Sequence, residues 1–154
     1  MIILNQWTSY FINDPDDDYN LVVEILCDDR DVAVIHQRKQ GLLLKWYTNP
    51  KGLIIPVDWL SSLLLRAKEG LIEPNPSIDE IITNQWTAGF ANDSDSDYLT
   101  VKILCDEKIV AVIKQAKQSL ILEWYDSPKG LVIPVDWLSS LLLKVKEGFV
   151  DFKN

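Results

Sequence analysis

The acidic residues are the first candidates for chemistry, because three aspartates recur at alternate positions in each half of the chain. They are Asp14, Asp16 and Asp18, followed by Asp93, Asp95 and Asp97. Carboxylates at this spacing match the oxygen ligands of a hard cation such as Ca²⁺. The glycine and the glutamate that a helix–loop–helix calcium loop needs further along are replaced by other residues. We therefore interpret both runs as solvated turns and predict no metal site.

The single histidine is the second candidate. His36 corresponds to Lys114 in the other half of the chain, so a reaction performed by both halves cannot depend on an imidazole. The sequence contains no His/Cys cluster with metal-ligand spacing, no nucleophile elbow and no glycine-rich phosphate loop. We predict that the protein is not an enzyme, has no catalytic residues and uses no cofactor.

Basic and aromatic residues cluster near the ends of predicted strands in both halves. The cluster comprises Arg38, Lys39, Trp46 and Tyr47, with Lys114, Lys117, Trp124 and Tyr125 in the second half. Aromatic rings among cations on a sheet can stack the bases of a single strand and neutralise its phosphates. This interpretation predicts a single-stranded nucleic-acid site on the sheet faces. In the alternative interpretation the tryptophans are core residues and the lysines only keep the protein soluble.

The overall charge favours a different partner. The chain carries 15 basic and 23 acidic residues, a net charge of −8. That charge repels phosphate backbones at long range and suits a protein with a basic surface. The second functional hypothesis is therefore an acidic protein–protein interaction module, such as an inhibitor, an immunity-like factor or a regulatory adaptor.

The sequence also favours a cytoplasmic protein. No apolar run approaches the length of a membrane span, and the first residues lack the pattern of a signal peptide. Cys27 and Cys105 occupy matching positions, and we expect two reduced, buried thiols. A disulfide between them is the alternative.

The two halves are copies of one unit. Segment 50–70 matches segment 128–148 at 18 of 21 positions, and the six tryptophans form three matched pairs. We infer a tandem duplication, with one unit at 1–74, a proline-containing linker at 75–80 and the second unit at 81–154.

Each unit is predicted to form four or five antiparallel strands and then one helix, which defines an α+β fold. The helices are predicted at 56–69 and 134–147, where a proline suits the first turn and leucines recur at spacings of three and four. Gly70 and Gly148 are expected to end them in a left-handed conformation.

The helices have more apolar surface than one neighbour requires. Leu65 and Leu143 lie away from the main apolar stripe, and Trp59 and Trp137 widen it. The helix of the other unit is the obvious second neighbour. The sequence therefore predicts a monomer in which two packed repeats form an intramolecular pseudo-dimer, with these four residues at the inter-repeat interface.

One motif points to a known fold. In the segment LEWYDSPKGLVIPVDWLSSLL, a strand ending in Trp-Tyr is followed by a Pro-Gly turn, a short strand and a Trp-bearing helix. This unit, duplicated in one chain, resembles the fold shared by transcriptional coactivators of the positive-cofactor-four type, plant Whirly proteins and Pur-alpha. In that family the sheets bind single-stranded DNA or RNA and the helices pair two units. The resemblance implies the same architecture and ligand class here.

Overall fold

The described part of the chain consists of two five-stranded sheets and two helices. The computed structural model describes residues 5–15, 20–38, 41–71, 84–92, 99–116, 119–125 and 131–152. The predicted linker at 75–80 and most of the aspartate runs lie outside these residues. No helix in the described ranges is long and apolar enough to cross a membrane.

Both halves have the same order of elements. The first half contains β1 Trp7–Asp14, β2 Asn20–Cys27, β3 Arg30–Arg38, β4 Gly41–Trp46, β5 Ile54–Pro56 and α1 Val57–Gly70. The second contains β6 Trp86–Asn92, β7 Leu99–Cys105, β8 Lys108–Ala116, β9 Ser119–Trp124, β10 Val132–Pro134 and α2 Val135–Phe152. All pairings between strands are antiparallel. The predicted α+β class is confirmed.

The halves exchange their short strands. The sheets have the orders β1-β2-β3-β4-β10 and β5-β9-β8-β7-β6, so each is completed by a strand from the other half. Ile133 lies opposite Leu44, and Ile55 lies opposite Leu122. Because each sheet is completed by residues distant in sequence, the two halves form one hydrogen-bonded body.

Two tryptophans lie at the centre of the shared core. Trp46 and Trp124 are each 1% exposed, and their ring centroids are 5.3 Å apart in an edge-to-face arrangement. The backbone N–H of Trp46 donates to the carbonyl of Leu131 at 2.9 Å, and that of Trp124 donates to the carbonyl of Leu53 at 2.9 Å. Exchange of the short strands therefore fixes the strands that bear both rings.

The helix ends differ from the prediction. Each helix begins one residue later than expected, at Val57 and Val135, and α2 continues through Gly148 to Phe152. Gly70 is the last residue of α1 and does not have a positive φ. A Cβ at Gly70 would come within 2.6 Å of the Phe11 ring. The predicted left-handed caps are wrong, and close approach of an aromatic ring explains Gly70 instead.

An aspartate anchors the hairpin turn between β2 and β3. Asp28 and Asp29 have positive φ angles of 51° and 66°, as a tight two-residue turn requires. The carboxylate of Asp28 accepts hydrogen bonds from the backbone N–H of Gln6 at 2.8 Å and from the side-chain amide of Asn5 at 2.9 Å. These two bonds, in that order, lower the pKa of Asp28 from its usual value.

The second half repeats this anchor. Asp106 accepts from the backbone N–H of Gln85 at 2.8 Å and from the amide of Asn84 at 2.7 Å, and its pKa is lowered for the same reasons. The recurring Asn-Gln dipeptide thus ties the chain leading into β1 or β6 to the neighbouring hairpin.

Candidate interaction surfaces

The tryptophans proposed to stack bases are inaccessible. Trp46 shares a sheet face with Ala33, its cross-strand partner, and with Leu44, two residues earlier. That face packs into the core, as does the matching face of Trp124. The prediction that these two indoles stack on bases is wrong, because strand alternation directs them inward.

The basic residues lie on the opposite face. Arg38 and Lys114 lie on β3 and β8, out of phase with the buried tryptophan face. The ammonium of Lys114 pairs with the carboxylate of Glu123 at 2.7 Å, and this hydrogen bond is the main reason why the pKa of Lys114 is raised. Lys39 and Lys117 lie outside the described residues. Cations and tryptophans therefore do not form one surface.

Tyr47 and Tyr125 are the only accessible rings of the predicted cluster among the residues the structure describes. They are 44% and 41% exposed, immediately after the buried tryptophans. The two tyrosines follow strands of different sheets, and neither is accompanied by an accessible tryptophan of the predicted cluster.

The centre of the outer face of the first sheet is buried. Val22, Val34 and Leu43 are buried there, and His36 is only 5% exposed. Burial is also the main cause of the raised pKa of Glu24. Tyr10, which lies opposite Glu24 on the same face, is exposed, so only the centre of this face is covered.

Of the four predicted inter-repeat residues, the two tryptophans contact rings of their own half, and the two leucines are exposed beside the neighbouring helix. The ring centroid of Trp59 lies 5.9 Å from that of Trp7 in the same half, and Trp137 lies 5.9 Å from Trp86. Leu65 and Leu143 are 58% and 60% exposed. The burial expected of the two leucines is wrong. Trp46 and Trp124 are the aromatic rings that meet between halves, and their alternation with buried leucines was the available sequence signal.

The helices lie side by side in opposite directions. The ammonium of Lys68, near the end of α1, is 3.2 Å from the carboxylate of Asp136 at the start of α2. Lys146 and Asp58 form the reciprocal pair at 3.1 Å. Between the helices runs a groove of about 200 Å³, which we call the helix groove. Its lining residues are Ser61, Leu65, Lys68, Ser139, Leu143 and Lys146.

The edge of the second sheet forms another surface. β6 is the outermost strand, and its sequence, WTAGFAN, contains no charged residue and no proline. Phe90 is 50% exposed on this strand. A cavity of about 220 Å³ lies beside it, between β6 and α2. The cavity is lined by Ala88, Phe90, Trp137, Ser140, Leu141 and Lys144.

No metal-binding cluster is found among the residues whose structure is described. Cys27 and Cys105 are unpaired, buried thiols. Burial is the first cause that raises the pKa of both thiols, and the neighbouring aspartates raise it further. A raised thiol pKa disfavours the nucleophilic thiolate.

No protein-family model, no curated protein and no solved structure matches this chain. The resemblance to the coactivator, Whirly and Pur-alpha fold therefore stays a prediction.

Proposed function

We propose that this protein is a non-catalytic interaction module that binds an extended segment of another protein along β6. The observation that favours this function is the edge of β6, which pairs with no second strand among the described residues and lies beside the cavity lined by Phe90 and Trp137. Sheet edges usually bear lysine, proline or a bulge that prevents pairing with other chains. In β6 no such residue is present.

The geometry of an added strand explains why the cavity lies next to the edge. A strand pairs through its backbone, and its side chains alternate between the two faces of the sheet. Of every two successive side chains of the added strand, one would project toward the cavity beside Phe90. Trp137 and Leu141 provide apolar contacts there. The expected ligand is an extended peptide with an apolar residue at that position.

The net charge of the whole chain favours a basic partner. A net charge of −8 speeds the approach of a basic protein and slows that of nucleic acid. Burial of Trp46 and Trp124 removes the stacking contribution that would offset this repulsion. We therefore favour the protein ligand over single-stranded nucleic acid.

In this proposal the protein is the product of a tandem duplication and forms an intramolecular pseudo-dimer. The equivalent orders of the two sheets and the reciprocal exchange of β5 and β10 support it. The absence of catalysis is part of the proposal, since buried His36 has a lysine at its counterpart. The free thiols Cys27 and Cys105 fit a reducing compartment such as the cytoplasm.

Selection from a random peptide library, with the folded protein as bait, tests this function. We expect enriched peptides with alternating apolar residues. Gly89→Lys introduces a cation on β6, where a Cβ meets nothing within 4 Å, opposite the exposed Lys102. A urea midpoint close to that of the parent checks that this variant is folded. The substitution should weaken binding of the selected peptides by about tenfold or more.

Two further variants complete the test. Phe90→Ala removes one wall of the cavity and should also weaken binding. Ile109→Lys places the same charge on β8, an interior strand, at a residue that is 43% exposed, and should leave binding unchanged. The proposal is wrong if no peptide is enriched, or if Gly89→Lys and Ile109→Lys bind the selected peptides equally well.

A further inference from the structure

The helix groove is the second exposed apolar feature, and it is independent of β6. Leu65 and Leu143 line it from opposite helices and are more exposed than the other large hydrophobic residues whose burial is described. The hydroxyl oxygens of Ser61 and Ser139 lie buried between the helices. Small serines at matching positions let the helices approach, and the leucines project beyond them.

The charge around the groove is balanced, unlike that of the whole chain. The two lysines that line the groove, Lys68 and Lys146, pair with Asp136 and Asp58. A surface with no net charge gives no electrostatic preference for nucleic acid or for a strongly charged protein. It also lets two molecules of net charge −8 meet where repulsion is weakest.

The pattern is repeated across the groove. Each helix contributes one serine, one exposed leucine and one lysine that pairs with the start of the other helix. In a closed dimer the same patch of both molecules is in contact, and a patch with this two-fold arrangement presents the same apolar ridge after a half-turn. We propose that a second copy of this chain docks there, with the helix pair of one molecule against the helix pair of the other.

The area of the helix-pair contact indicates how stable the dimer should be. Two side-by-side helices of 14 residues cover a patch of about 20 Å by 20 Å, from a rise of 1.5 Å per residue and a helix diameter of about 10 Å. Such a patch, of about 400 Å², is about half of the area of about 800 Å² per partner that stable interfaces bury. The dimer is therefore weak and transient, and we expect it to form only in the upper part of the micromolar concentration range.

Sedimentation equilibrium on the whole protein, at concentrations from about 1 to 300 µM, tests the inference. The unaltered chain should pass from monomer to dimer within this range. The double variant Leu65→Glu/Leu143→Glu places unpaired carboxylates in the contact and should raise the dissociation constant at least about 100-fold. Both leucines are exposed in the single molecule, so the urea midpoint of the double variant should stay close to that of the parent.

Two control variants make the result decisive. Leu21→Glu/Ile109→Glu removes two other exposed apolar residues, 42% and 43% exposed, and should dimerise like the parent. Leu65→Gln/Leu143→Gln should weaken the dimer without adding charge. A parent that stays monomeric at the highest concentration overturns the inference. So does a dimer that survives both leucine variants, or one that is lost equally in the control. Peptide binding at β6 would be unaffected by any of these outcomes.

Discussion

Replacing Trp124 with alanine distinguishes between two roles of its ring, packing in the core and stacking on a base of a ligand. The ring is 1% exposed and packs edge-to-face on Trp46 at 5.3 Å. Removing a buried tryptophan costs about 3–5 kcal/mol, because transfer free energy is lost and a cavity remains. If instead the ring stacked on a base, the same change would lower ligand affinity by about 1–3 kcal/mol and leave stability nearly unchanged.

Urea unfolding followed by circular dichroism measures this loss. With an m-value of about 2 kcal/mol/M, a loss of 4 kcal/mol lowers the midpoint by about 2 M. Trp46→Ala should lose a similar amount of free energy of unfolding. The double variant Trp46→Ala/Trp124→Ala should lose less than the sum of the two single losses, because the two rings contact each other and their removal leaves one shared cavity. Tyr125→Ala, one residue away and 41% exposed, should change the free energy of unfolding by no more than about 0.5 kcal/mol. A loss below about 1 kcal/mol for Trp124→Ala would refute the burial argument.

Three other outcomes follow from the same contacts. Titration with a single-stranded oligonucleotide at about 50 mM salt should leave tryptophan fluorescence unquenched, and a saturable quench that weakens with salt would contradict this. Asp28 and Asp106 have lowered pKa values, so their stabilising effect is present above the unfolded pKa of about 3.9 and is lost as pH falls through the folded pKa. In Asp28→Asn/Asp106→Asn, urea midpoints should depend less on pH in this acidic range; an unchanged dependence would count against the anchor. Leu143→Glu should alter the free energy of unfolding by about 0.5 kcal/mol or less, measured by urea unfolding, and a loss of several kcal/mol would show that the residue is buried.

Strand alternation explains which predictions from the sequence succeed. The periodic apolar residues of β2, β3 and β4 predict antiparallel strands, and the structure confirms them. The same alternation places Lys45 and Trp46 on opposite faces. The separation of cations from tryptophans could therefore have been predicted, and grouping them by sequence proximity led to the wrong site.

The exchange of strands could not be predicted from the sequence. Segments 54–56 and 132–134 read IIP and VIP, so either one can pair with β4 or β9 with nearly the same contacts. Only the path of the chain through the whole fold decides between the two. The exposure of Leu65 could not be predicted either. Helical periodicity shows that this residue lies away from the main apolar stripe, but it does not show whether another element of the fold covers it.

A disulfide between strands tests the exchange, on which burial of the central tryptophans depends. Trp46 and Leu131 form a hydrogen-bonded pair, so Lys45 and Val132, the next pair along, are a non-hydrogen-bonded pair. Their Cα atoms are expected about 4.5 Å apart, within the range of a disulfide. The control pairs Lys45 with Ile54, the counterpart of Val132, which lies opposite Glu123 in the other sheet.

The measurement is peptide mapping by mass spectrometry after mild oxidation of monomeric protein. Cys27 and Cys105 are buried with raised thiol pKa values and should react slowly. Strand exchange predicts a disulfide in Lys45→Cys/Val132→Cys and none in Lys45→Cys/Ile54→Cys. A disulfide in the second variant and none in the first would show that each half keeps its own short strand, and would contradict the exchange.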